Sequence, residues 1–200
     1  MSQAGLPRGF PPSNLPFDTS RMPALIQRYH EINCKSSKTD SVLDEVIAKV
    51  KEQGYLDAEG GKVLGAWKYS AGLGSKIASN GDEKLRAATS KALSTSHPIL
   101  ALKHLLPLYG FGVPTASAFL HLFHSDVYPL IDEYALLALG LDTRSQPGKS
   151  LYESVDSCKK LYLAYADSFR RWVAEYEISS RDLDRCLWVI GYDKRKELST

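Results

Sequence analysis

The chain has 200 residues, 44% of them apolar and 24% charged, with 25 Lys and Arg against 23 Asp and Glu. This is the length of one domain or of two small lobes sharing a core, and it buries about 70% of its unfolded surface without needing a disulfide or a metal. A formal charge of +2 excludes a histone-like basic binder and an acidic solvating chain, but leaves room for a local basic face.

The three cysteines, Cys34, Cys158 and Cys186, are odd in number and far apart. A disulfide framework needs an even set, and a zinc or iron–sulfur site needs close pairs. They are expected to be buried or incidental thiols in a reducing compartment. The N-terminus lacks the apolar run of a signal peptide, and no stretch of 18 apolar residues occurs. A soluble intracellular protein without membrane contact is expected.

Residues 1–20 carry Gly5, Pro7, Gly9, Pro11, Pro12 and Pro16, so an irregular or extended arm is expected, resting on the body through Phe10, Leu15 and Phe17. The same arm has the composition of a polyproline II ligand. From Arg21 onward the pattern is helical. Val42, Leu43, Val46, Ile47 and Val50 form a stripe that Gly54 ends. A segment near Lys62–Ala71 holds Trp67. Asn80-Gly81 is a turn, after which Asp82 is expected to cap a helix reaching Leu93, and Ser96 to cap His97–Leu108.

The longest helix is expected over Ser150–Tyr176, about 40 Å at 1.5 Å per residue. Its apolar face is Leu151, Val155, Cys158, Tyr162, Tyr165, Phe169, Trp172 and Tyr176, in steps of three or four. Arg170-Arg171 and Lys159-Lys160 fall on its solvated side. Ser179-x-x-Asp182 resembles a capping box ahead of Leu183, Cys186, Leu187 and Ile190. Arg181, Asp182, Asp184 and Arg185 are expected to pair locally. No strand and no repeat is evident, so the fold class is all-α.

The informative segment is Leu105–Gly140, LLPLYGFGVPTASAFLHLFHSDVYPLIDEYALLALG. Gly110 and Gly112 permit a tight turn, and Pro114 suits the start of the following helix. A glycine turn leading into a helix N-terminus is an anion site, because its first N–H groups have no intrahelical partner. Small Ala116, Ser117 and Ala118 let the preceding helix cross closely. The equal alternative is a glycine-linked helix pair that binds nothing. Further on, Tyr128-Pro129-Leu130-Ile131-Asp132 is an apolar run ending in one carboxylate that opens the helix Glu133–Leu139. Aspartate is a preferred N-cap. An ionised carboxylate at that place also suits stabilisation of a cationic sugar transition state and the orientation of water.

Together these residues resemble the helix-hairpin-helix DNA glycosylase superfamily, HhH-GPD, whose pattern runs Leu-Pro-Gly-Val-Gly-x-Lys-Thr-Ala, then an apolar helix, then an aspartate. Leu108-Tyr109-Gly110-Phe111-Gly112-Val113-Pro114-Thr115-Ala116 follows it, and Asp132 lies 18 residues after Pro114, within the family's spacing of 18 or 19. The sequence departs from the pattern in having Tyr109 for the proline, Pro114 for the lysine and Glu133-Tyr134 where many members continue toward a histidine. It also lacks the four-cysteine iron–sulfur loop of some members. Without the lysine there is no Schiff base.

The resemblance therefore implies a two-lobed all-α globule, with residues 21–200 as one domain and the hairpin at about 97–124. It implies a monofunctional N-glycosylase with DNA as partner, Asp132 as catalytic carboxylate and no cofactor. Gly110, Phe111, Gly112, Val113 and Thr115 would hold a phosphate through the backbone, with Lys68 reaching another. A flipped base would enter a cleft between lobes. Trp67 and Tyr134 are named for its pocket from an aromatic set that also holds Tyr69, Trp172 and Trp188.

Two other readings stand beside it. One is an inactive helix-hairpin-helix nucleic-acid-binding module. The other is a helical protein-interaction domain with Phe111 as anchor. A monomer is expected. His121-x-x-His124, with Asp126 nearby, lacks a third ligand, so these are expected to be surface histidines and no metal is assigned.

Overall fold

A computed structural model describes residues 6, 8–33, 37–144 and 155–199, and side chains over the same ranges except 37–41 and 155–157. Gly5, Pro7, Cys34, Ser150, Leu151 and the Val155 side chain lie outside the described residues. Every regular element among those described is helical. The chain groups into two compact units, Asn33–His124 and Met1–Ile32 with Ser125–Thr200.

The Asn33–His124 unit holds α2 (Ser37–Gln53), α3 (Ala58–Lys68), α4 (Ala71–Ala78), α5 (Asp82–Leu93), α6 (Pro98–Leu105) and α7 (Val113–Phe123). Gly54 ends α2 at φ +79°, as its sequence position suggests. Leu43 and Val50 of the α2 stripe are buried, whereas Val42 is 41% exposed. The stripe is therefore narrower than the sequence implied.

The segment expected near Lys62–Ala71 is two helices. The chain breaks at Tyr69-Ser70, and Ser70 caps α4 by accepting from the Leu73 N–H. α3 and α4 then meet backbone to backbone. A β-carbon on Gly65 would overlap the Gly74 backbone, and one on Gly74 would overlap the Lys62 carbonyl. A β-carbon on Gly61 would lie 2.7 Å from Ile77 Cγ2. Glycine costs a helix interior about 1 kcal/mol relative to alanine, and the close crossing it permits offsets that cost.

Two expected caps are corrected. Gly81, at φ +77°, is the N-cap of α5, because the Asp82 carboxylate is turned to the Ala58 N–H at 2.8 Å. His97, not Ser96, caps α6: its Nδ1 accepts from the Leu100 N–H at 3.3 Å, and Pro98 opens the helix.

The other unit holds α1 (Met22–Asn33), α8 (Glu133–Ala138), α9 (Val155–Glu175) and α10 (Ser180–Glu197). On α9, Cys158, Tyr162, Tyr165, Phe169 and Trp172 are buried, as the aromatic face predicts. Burial pushes the thiols of Cys158 and Cys186 up to about 12, so both are inert at neutral pH. The arm is seated here: Phe17 is buried, and the Ser13 carbonyl accepts from Trp172 Nε1 at 3.1 Å and Arg171 Nη2 at 3.0 Å. Ser179 caps α10, and the expected pairs form as Arg181–Asp184 at 2.9 Å and Arg185–Asp182 at 3.0 Å.

α8 crosses α10 so closely that a β-carbon on Gly191 would overlap the Tyr134 carbonyl. Replacing a mid-helix glycine by alanine ordinarily stabilises. Gly191→Ala is expected to do the reverse, costing about 1–3 kcal/mol by overpacking. Thermal denaturation checks the sign.

Candidate functional site

The chain between α6 and α7 is a tight turn. The Leu108 N–H bonds Leu105 O at 2.9 Å and the Phe111 N–H bonds Leu108 O at 3.1 Å. Gly110 takes φ +88°, and a β-carbon there would come within 2.9 Å of Ile77 Cγ1, so conformation and space both demand glycine. Gly112 is the N-cap of α7, with extended φ −88° and ψ 176° and no side-chain cap bond. Val113 and Thr115 therefore open α7 with N–H groups that have no intrahelical acceptor, and Pro114 between them has none to offer.

The side chains of Phe111, Val113 and Thr115 are buried. A ligand at the start of α7 therefore meets backbone, while Tyr109, earlier in the turn, leaves its ring exposed. Two expectations about Phe111 change. Its ring is 4% exposed and packs edge-on to Phe119 at 6.2 Å, so it is no anchor for a partner. Its N–H is already donated to Leu108, so it adds no donor to an anion site.

The turn is fixed from outside by a residue the sequence marked only as a turn former. Asn80 Oδ1 accepts from the Tyr109 N–H and its Nδ2 donates to Tyr109 O, each at 2.9 Å. The same Nδ2 donates to Ile77 O at 2.8 Å. Asn80→Ala is expected to cost about 1–3 kcal/mol for these bonds and to speed exchange of the Tyr109 amide. Hydrogen exchange and thermal melting check both effects.

Beside the turn runs an open groove of about 520 Å³, lined by Leu73, Lys76, Lys84 and the turn itself. Its charged side chains are both lysines, and Lys76 Nζ lies 5.8 Å from the Tyr109 ring centre. From Gly60 to Ser125 the only acids in the sequence are Asp82 and Glu83, and the Asp82 carboxylate accepts from Ala58 N–H. The unit carries 11 Lys and Arg against 8 Asp and Glu, the rest of the chain 14 against 15. The positive excess thus belongs to the hairpin's own unit. Trp67 and Lys68, at the end of α3, do not line this groove. Lys76 and Lys84 were missed because neither is near the hairpin in sequence.

In the other unit, Asp132 is 7% exposed and caps α8, its Oδ1 accepting from Tyr134 N–H at 3.1 Å and Ala135 N–H at 2.9 Å. The run ahead of it is held by phenols of α9: Tyr162 donates to Pro129 O and Tyr165 to Leu130 O, both at 3.1 Å. Burial raises both phenols well above their ordinary range, so they remain donors. The far end of α8 is closed by Gly140 at φ +89°, with Leu141 N–H on Leu136 O and Gly140 N–H on Leu137 O. Lys194 Nζ adds a bond to Ala138 O at 2.9 Å. Arg144 grips Glu133 through two nitrogens, at 3.0 and 2.8 Å.

Tyr134 is half-buried, edge-on to Trp188 at 5.3 Å and Tyr192 at 5.8 Å. Trp172 is fully buried, which removes it from any pocket for a base. His121 is buried and His124 exposed, so the expected pair of surface histidines does not form. No group of His, Cys, Asp and Glu among the described residues is arranged to hold a metal ion, and none of the described helices is long and apolar enough to cross a membrane.

Comparison with family models, with curated proteins and with solved structures gave no match.

Proposed function

We propose that the chain binds nucleic acid, with DNA as the first candidate, by holding a backbone phosphate at the Gly110–Gly112 turn. The observation that carries this reading is the uncapped start of α7, presented by a turn that Asn80 fixes and that has Lys76 and Lys84 beside it. Backbone N–H groups supply direction and the two ammonium groups supply charge. The test is titration of a labelled DNA duplex across salt concentrations. Two lysine–phosphate contacts give log K against log salt a slope of about −2. Binding that ignores salt, or no binding at low salt, overturns the reading.

A second reading adds catalysis at Asp132, as a monofunctional N-glycosylase. It is favoured by the rigid support of that carboxylate, whose preceding carbonyls are tied to Tyr162 and Tyr165. A preorganised carboxylate is what stabilisation of an oxocarbenium-like sugar requires.

A further inference from the structure

Tyr109 combines two properties that seldom coincide. Its ring is 59% exposed, yet its backbone N–H and carbonyl are both fixed by one asparagine side chain. A large aromatic ring left in water gains nothing for the fold, and here the main chain that carries it is not free to turn it inward. It stands at the rim of the lysine-lined groove, with Lys76 Nζ 5.8 Å from its centre and Lys84 lining the same groove. A positive groove with an aromatic face at its edge is the arrangement that holds a nucleic-acid strand by its phosphates and one base by its π-face.

We infer that the Tyr109 ring is a stacking platform for an unpaired base, with Lys76 and Lys84 on phosphates of the same strand, so that the site selects nucleic acid carrying an unpaired nucleotide over a fully paired duplex. This rests on the reading of the hairpin as a nucleic-acid site and adds its substrate class. A paired base has both faces covered by its neighbours and offers none to a tyrosine. An unpaired base offers one, whichever base it is. The expected selectivity is therefore for the absence of pairing and not for sequence.

The experiment is an anisotropy titration of the full chain against three labelled oligonucleotides: a paired duplex, the same duplex with one unpaired nucleotide, and single-stranded oligo-dT. The wild type is expected to favour the two unpaired probes by about 10-fold. Tyr109→Ala should bring that ratio to about one, and Tyr109→Trp should restore it. Tyr109 is exposed, so neither change threatens the core, and a thermal melt confirms this. If the ratio survives in Tyr109→Ala, or the wild type shows no preference, the inference falls while the hairpin reading stands. If the wild type binds none of the probes, both fall.

Discussion

Gly112→Asp is expected to weaken nucleic-acid binding ~10- to 100-fold while leaving the fold as stable as before. Gly112 sits at φ −88° and ψ 176°, next to the values of Asp57, an aspartate that caps α3 at φ −96° and ψ 178°. A β-carbon on Gly112 meets only Pro114 Cδ, at 3.7 Å. The new carboxylate therefore fits, and it can accept from the Thr115 N–H, the third of α7, as Asp57 does from Gly60. Aspartate and glycine differ as N-caps by a few tenths of a kcal/mol in favour of aspartate. The added carboxylate occupies a donor that the proposed phosphate would use, and its negative charge repels an anion there. Losing charge-assisted hydrogen bonds worth ~1.5–3 kcal/mol weakens binding ~10- to 100-fold. Thermal melting and anisotropy on the same sample separate the two effects. A Gly112→Asp protein that is equally stable and binds as well as the wild type removes the turn from the site.

At Asp132 support can likewise be separated from the proposed chemistry. Asp132→Ala removes both cap bonds to α8 and is expected to cost about 2 kcal/mol, roughly 4–8 °C of melting temperature for a chain of this size. Asp132→Asn keeps the cap acceptor, and asparagine caps as well as aspartate; it loses the charge and its attraction to the helix start, ~0.3–1 kcal/mol. If Asp132 stabilises a cationic sugar, base release from damaged duplexes drops by about 10²-fold or more in the asparagine variant while the melt barely moves. Equal release by both proteins, or none by the wild type over a broad lesion panel, removes Asp132 from catalysis.

The elements that were legible from sequence are those whose cause is local. Gly54 ends α2, Ser179 starts α10, and the face of α9 from Cys158 to Trp172 is buried as its spacing demands. The hairpin was legible for the same reason, since two glycines and a proline define it within five residues. What escaped depends on partners far along the chain. α4 reads poorly as a helix because Gly72 and Gly74 disfavour one, and its stability comes from α3. Asp82 has the look of a cap, but its carboxylate is claimed 24 residues upstream. Asn80 reaches across 29 residues to the turn, and no periodicity encodes that.

The glycine crossing of α3 and α4 has a bearing on how the site tolerates change. Ile77 and Asn80, which seat Gly110 and Tyr109, lie on and just after α4. The depth of α4 against α3 is set where Gly65 meets Gly74, and no smaller residue exists to replace either. The hairpin's address in the molecule is thus written at two positions with no side chain and no part in the groove's lining. If the groove binds nucleic acid as proposed, a substitution scan scored by binding alone will rank Gly65 and Gly74 beside Gly112. Only a parallel scan scored by folding will tell the two kinds of glycine apart.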